Sequence, residues 1–116
     1  MGELPPQVQN LVAQLQQLQQ QLQAVITQRA QVEALLRDAE QALEELQKVD
    51  DDSPVYKAVG NVLVKEKRED VIKELTEKKE TYEIRIKTLQ RQEEKLRERF
   101  AETQKKLQSM LSPQAG

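Results

Sequence analysis

The chain has no cysteine, no histidine and no tryptophan among its 116 residues. The first absence removes disulfide staples and thiol nucleophiles. The second removes imidazole bases, and the two together remove nearly every zinc site. A chain without cysteine suits a reducing compartment. Aromatic residues make up 3% and hydrophobic residues 37%, against 33% charged, which is thin provision for a globular core. No apolar run approaches the ~18–20 residues that a membrane span needs. The N-terminal MGELPPQ lacks both the basic region and the apolar core of a signal peptide. The expected location is cytoplasmic. No nucleophile–base set, metal-ligand cluster or glycine-rich phosphate loop can be assembled from the sequence, so no enzyme activity, cofactor or metal is expected.

What is present is periodic. From Val8 the a positions are Val8, Leu15, Leu22, Arg29, Leu36 and Leu43, and the d positions are Leu11, Leu18, Val25, Val32, Ala39 and Leu46. Only Arg29 breaks the apolar seam, and a 3.5-residue repeat of that length predicts a coiled coil rather than a globular helix face. Pro5 and Pro6 suit the entry to this helix, where a missing N–H costs nothing. Between Gln7 and Gln31, 11 of 25 residues are glutamine, and they fill the outward positions between the leucines. A second seam has a positions Ile72, Lys79, Ile86, Glu93, Phe100 and Leu107, with d positions Leu75, Tyr82, Leu89, Leu96, Thr103 and Met110. Along it, Glu69–Lys73, Glu74–Lys78, Glu83–Lys87, Glu93–Arg97 and Glu102–Lys106 each set an acid four residues before a base, the favourable order.

The stretch between the seams, Val55 to Lys65, cannot be helix. It is dense in β-branched residues and carries Gly60-Asn61 at its centre, a dipeptide suited to a two-residue II′ hairpin turn. A turn there pairs Val59 with Val62, Ala58 with Leu63, Lys57 with Val64 and Tyr56 with Lys65. One face then holds Val55, Val59, Val62 and Val64, and the other holds Tyr56, Ala58 and Leu63. A two-stranded hairpin that is apolar on both faces is marginal alone. The residues Val55, Tyr56, Ala58, Val59, Gly60, Asn61, Val62, Leu63 and Val64 are therefore expected to form an oligomerisation surface.

The fold expected is mainly α: a long antiparallel two-helix coiled coil with a β-hairpin at the connection, in a single domain over 1–116. Its parts are a first helix over 7–48, the hairpin over 55–65, a second helix over 66–111 and a tail over 112–116. No Ser or Thr cap precedes the second helix. Opposing residues whose numbers sum to 118 places Lys79 against small Ala39 and brings Arg29 and Glu93 into neighbouring layers, where they can pair. A shift of one heptad would set Glu93 against Leu18. Near the chain termini the apolar residues spill beyond the seam. Leu4, Val8, Leu11, Val12 and Leu15 on the first helix, with Phe100, Leu107, Met110 and Leu111 on the second, form a candidate substrate-binding surface.

A long helix, DDDSPVYKAVGNVLVKE and then VIKELTEKKETYEIRIKTLQRQEEKL resemble the prefoldin family of co-chaperone subunits over residues 7–111. The inserted hairpin is the specific part, because generic coiled coils lack one. A single hairpin implies the beta type. The resemblance implies an ATP-independent hexamer of two alpha and four beta subunits. In it, hairpins build a β-barrel body, and coiled-coil tips grip non-native proteins for delivery to a group II chaperonin. The implied partners are alpha-type subunits, other copies of this chain, unfolded clients and the chaperonin, with no nucleic acid and no membrane. Two other readings remain open on the residues alone. One is a structural spacer or tether without general client binding. The other is nucleic-acid binding through the second half, which carries 14 basic against 11 acidic residues.

Overall fold

Helix α1 spans Pro6–Gln47, strand β1 Val55–Val59, strand β2 Val62–Glu66 and helix α2 Arg68–Leu111. These elements come from a computed structural model that describes residues 4–112. The tail expected over 112–116 lies, from Pro113 on, outside the described residues. Both helices follow the heptad pattern, and α2 begins two residues later than the expected 66. The fold is that of an antiparallel coiled coil whose two helices are joined by the hairpin.

The helix ends show how the sequence sets these boundaries. Pro6 is the first helical residue of α1, and the Pro5 carbonyl accepts from the Gln9 N–H at 3.0 Å. At α2 the Lys67 carbonyl accepts from the N–H groups of Asp70 and Val71, both at 3.1 Å. Lys67 thus occupies the cap position without a capping side chain. Glu69 and Asp70 in the first turn put negative charge at the positive helix end instead.

The C-terminus of α1 has a partner that the local sequence does not announce. The Arg68 Nε donates to the carbonyl of Leu46 at 2.8 Å, and its guanidinium reaches Asp51 at 3.0 Å. One side chain at the start of α2 therefore satisfies an orphan carbonyl at the end of α1 and holds the aspartate turn between them. A base in the first turn of a helix opposes the dipole. That local cost is offset here by tertiary bonds.

The chain divides into two units, residues 1–29 with 88–116 and residues 30–87. In the second unit Val32, Ala39 and Ile86 are buried. Lys79 runs its stem past this seam and brings its ammonium to within 3.9 Å of Glu40. In the first unit Val8 and Leu89 are buried, and the Arg29 Nε donates to Glu93 Oε1 at 2.9 Å. The Arg97 guanidinium donates to the other oxygen, Glu93 Oε2, at 2.9 and 3.1 Å. Both ion pairs between the helices fit the register expected from the seam exceptions. Displaced by one heptad, Arg29 and Glu93 would stand about three turns apart, too far for any bond. Thr103, the polar d residue, donates its hydroxyl to the Arg99 carbonyl at 2.8 Å and so needs no partner across the seam.

Of the five acid-to-base pairs expected along α2, two close among the described residues: Glu74–Lys78 at 3.5 Å and Glu93–Arg97 at 2.9 Å. The reason is visible in the other partner. Glu74 and Glu93 are each also held by a cation from another element, Lys57 and Arg29 respectively. Glu69, Glu83 and Glu102 have no such second anchor, and an exposed pair gains too little to fix two long side chains.

Two predictions follow from these contacts. Replacing Arg68 with alanine should lower stability by about 1 kcal/mol, because it strands the Leu46 carbonyl and frees the aspartate turn. Urea denaturation followed by circular dichroism measures it. Lysine should not restore the loss, since an ammonium cannot reproduce both bonds of the fork. The second concerns Arg29 and Glu93, whose coupling in a double-mutant cycle to alanine should be about 0.5–1 kcal/mol at neutral pH. Hydrogen bonds from Arg97 and Arg29 hold the Glu93 carboxyl below its ordinary value, against burial, which pushes it up. A lowered folded value means the contribution is present above the ordinary carboxylate range and fades as pH falls through that lowered value. A coupling that does not fall in acid would show that the pair is not the source.

Candidate functional site

Two groups of exposed apolar residues stand out, one in each unit. The hairpin belongs to the unit of residues 30–87. Its register is Val55 with Glu66, Tyr56 with Lys65, Lys57 with Val64, Ala58 with Leu63 and Val59 with Val62. Gly60 turns it with φ +58°, while no other described residue has positive φ. That combination fits the II′ turn, in which only the first central residue crosses into the left-handed region. No side chain could be added at Gly60 without backbone strain, although the space around it is open.

Lys57 fastens this hairpin to α2. Its ammonium lies 2.8 and 2.9 Å from the two Glu74 carboxylate oxygens. The hydrogen bond to Glu74 raises Lys57 above its ordinary value, and the same bond lowers Glu74. Val55, at the base of the hairpin, is buried. It was expected on the oligomerisation surface, and in the single subunit it is covered rather than exposed. As the first residue of β1, paired with Glu66 just before the start of α2, it is covered within the subunit. The remaining apolar residues stay in solvent. Tyr56, Val59, Val62, Leu63 and Val64 are all exposed, Leu63 by 70% and Val62 by 61%. Ala58, Gly60 and Asn61 are exposed with them. The sheet has two strands only, so each strand keeps one unpaired edge among the described residues.

The second group lies in the unit of residues 1–29 and 88–116. Leu4, Met110 and Leu111 are exposed, while Leu11, Val12, Leu15, Phe100 and Leu107 are half-buried. Val8 departs from the expectation that placed it with them. At 3% exposed it is a seam residue, one heptad ahead of Leu15 at an a position, and is covered in the single subunit. A cavity of about 570 Å³ opens between the helix ends, lined by Leu11 and Met110 with Gln7, Asn10, Lys105 and Ser109 among its walls. Leucine and methionine floors with amide and lysine walls can accommodate side chains of varied shape. Leu35, Val49 and Ile84 are also exposed, so apolar exposure is not confined to the hairpin and the chain ends. Each stands singly, as is ordinary on a protein surface.

Sequence reasoning missed the two bonds of Arg68 and the bond between Lys57 and Glu74, because the partners are 17 to 22 residues apart. The one available signal was Arg68 itself, a base in the first turn where acids are favoured. No group of three His, Cys, Asp or Glu side chains among the described residues is placed to hold a metal ion. No described helix is long and apolar enough to cross a membrane.

Comparison with known proteins accounts for this arrangement. The model of the family described as prefoldin subunit matches residues 9–114. The chain is 93% identical, over the full length of both proteins, to the prefoldin subunit beta of Archaeoglobus fulgidus. It is 47% identical to that of Pyrococcus furiosus, with 97% of each chain covered. Among solved structures it is similar to the prefoldin beta subunit from Thermococcus strain KS-1, with a TM-score of 0.87 at 44% identity, covering 97% of this chain and 99% of that one. Two seams, one inserted hairpin and a full-length match at this identity place the chain in the prefoldin family, as a subunit of the beta type.

Proposed function

We propose that the chain is a subunit of an ATP-independent co-chaperone that holds unfolded or nascent polypeptides at its coiled-coil tips and hands them to a group II chaperonin. Membership of the family implies a chaperone role, and the family is not known for enzyme activity. The finer steps are inferred. Hairpins from several subunits pair edge to edge and bury Tyr56, Val59, Val62, Leu63 and Val64 in a shared β-structure, in a hexamer of two alpha-type and four beta-type chains in the cytoplasm. Clients meet Leu4, Leu11, Val12, Leu15, Phe100, Leu107, Met110 and Leu111.

The observation that supports this reading is the division of exposed apolar side chains. One cluster sits on a hairpin too small to be stable alone, and the other sits where the two helices end. Between them the helix faces are largely amide or charged. A weak apolar contact at each tip becomes useful when several tips act on one client, because binding at the second site is then intramolecular.

Two experiments test the two halves separately. Replacing Val59 and Val62, which pair directly, with aspartate sets like charges opposite each other on a surface meant to be buried. The outcome expected is monomers or small oligomers by light scattering, with helical circular dichroism retained. An intact full complex would remove the hairpin from its role as hub. Trimming the chain to roughly residues 16–102 leaves a seam long enough for a coiled coil. The trimmed subunit should assemble normally yet lose its suppression of aggregation by several unrelated denatured proteins. Undiminished protection would move the client surface elsewhere. No protection by the untrimmed chain would leave a tether.

A further inference from the structure

The unit formed by residues 1–29 and 88–116 carries a groove with a chemical asymmetry that apolar capture alone does not require. Three cavities of about 570, 410 and 460 Å³ follow one another along it. The first two share Lys106, and the last two share Gln21 and Arg99, so they form one continuous groove. Its lining repeats every seven residues. On α1 the g positions are Gln7, Gln14, Gln21 and Gln28, and the d residues Leu11, Leu18 and Val25 lie beneath them. Intervening c residues, Asn10, Gln17 and Ala24, are also uncharged. On α2 the rim is cationic, with Lys95, Arg99 and Lys106 along its length and Lys105 beside Met110, against a single carboxylate, Glu102.

These cations are not spent within the subunit. No ion pair among the described residues engages Lys95, Arg99 or Lys106, and the same holds of Lys73, Arg85 and Lys87 outside the groove. The unit as a whole leans the same way. Residues 4–29 and 88–112 hold seven basic and four acidic side chains, and residues 30–87 hold 11 basic and 15 acidic. The floor has leucine, valine and methionine but no aromatic ring, so it offers no stacking platform to bases.

We infer that this groove binds acidic amphipathic segments of client polypeptides, taken as a third helix whose apolar stripe meets the d residues and whose Glu or Asp flank faces Lys95, Arg99 and Lys106. This rests on the client-holding reading above and names the class of segment that the tip selects. The groove runs over residues 7–28 of α1, about 31 Å at 1.5 Å per residue, enough for three heptads of a docked helix. Apolar contact supplies the affinity common to all clients. The cation row lies on one side only, so it fixes orientation and favours acids on that flank, and basic segments are repelled.

The test uses the full-length chain and three fluorescent peptides about 22 residues long, matched to the groove. They share one apolar heptad pattern and carry Glu, Gln or Lys at the flanking positions. Anisotropy titration should give about tenfold tighter binding for the Glu peptide than for the Lys peptide, since each of three exposed charge pairs contributes about twofold. Added salt should erase the difference. The triple variant Lys95→Gln, Arg99→Gln, Lys106→Gln should bring the ratio down to about twofold or less, the share that Lys105 can still supply. The control Lys73→Gln, Arg85→Gln, Lys87→Gln removes the same charge outside the groove and should keep the full ratio. Equal binding of the Glu and Lys peptides, a preference that survives the groove variant undiminished, or one lost in the control would each overturn the inference. So would single-stranded RNA that displaces the Glu peptide and loses binding in the groove variant, which would assign the groove to nucleic acid. Light scattering of a denatured protein on the same samples separates the two readings. Protection without charge preference defeats the groove alone, and preference without protection defeats the client-holding reading alone.

Discussion

Two helices lying side by side share only one seam, and that limit governs the rest of the molecule. Each helix can hide one stripe and must leave the remainder of its circumference in water. The buried apolar residues of the described chain are accordingly few: Val8, Val32, Ala39, Val55, Ile86 and Leu89, with no large side chain fully enclosed. Such a core gains its stability from repetition along the seam rather than from depth at any one layer. It is also degenerate, because one leucine layer resembles the next. Polar layers remove that degeneracy. Glu93 accepts from Arg29 across the seam and from Arg97 along its own helix, one oxygen to each, and the register that sets Glu93 against Leu18 would lose the first bond.

The same limit explains why the hairpin is left in solvent. Helix ends can cover Val55 at its base and Lys57 can be drawn to Glu74, but nothing in the subunit is placed to cover Leu63 or Val62. A compact domain would fold a further layer over this sheet. This chain has spent its residues on the helices, and the sheet of the described residues stays two-stranded. The exposed hairpin is thus a consequence of architecture, the part that the subunit has no means to bury.

Features set by local rules were legible in the sequence. Gly60-Asn61 dictated the turn, and the turn dictated every cross-strand pair that was expected. Heptad spacing gave both helices, and the exceptions Arg29, Glu93 and Lys79 gave the register. What escaped notice depended on reach. Arg68 spans from the start of α2 to the end of α1, and no periodicity encodes that bond. Val8 and Val55 looked like members of exposed groups because composition cannot tell the last covered position from the first uncovered one. The unformed pairs, such as Glu102–Lys106, show the reverse error. Correct spacing makes a surface ion pair possible, but along α2 the expected pairs that close are those whose acid has a second anchor.

That last distinction also makes sense of the glutamines. A run of amides on α1 carries no charge that could compete for the cations of α2, so Lys95, Arg99 and Lys106 remain available toward the groove. Lysine or glutamate at Gln14 or Gln21 would either repel the cation row or neutralise it. The amide side chain is long enough to wall the groove, polar enough for an exposed helix and neutral enough to leave the opposite rim in charge. The absence of charge over residues 7–28 of α1 and the positive charge on the facing stretch of α2 are therefore two sides of one arrangement. An unspecific apolar floor acquires a direction from a rim that costs the fold almost nothing, since exposed charges on a helix surface contribute little to stability while still deciding which segments are turned away.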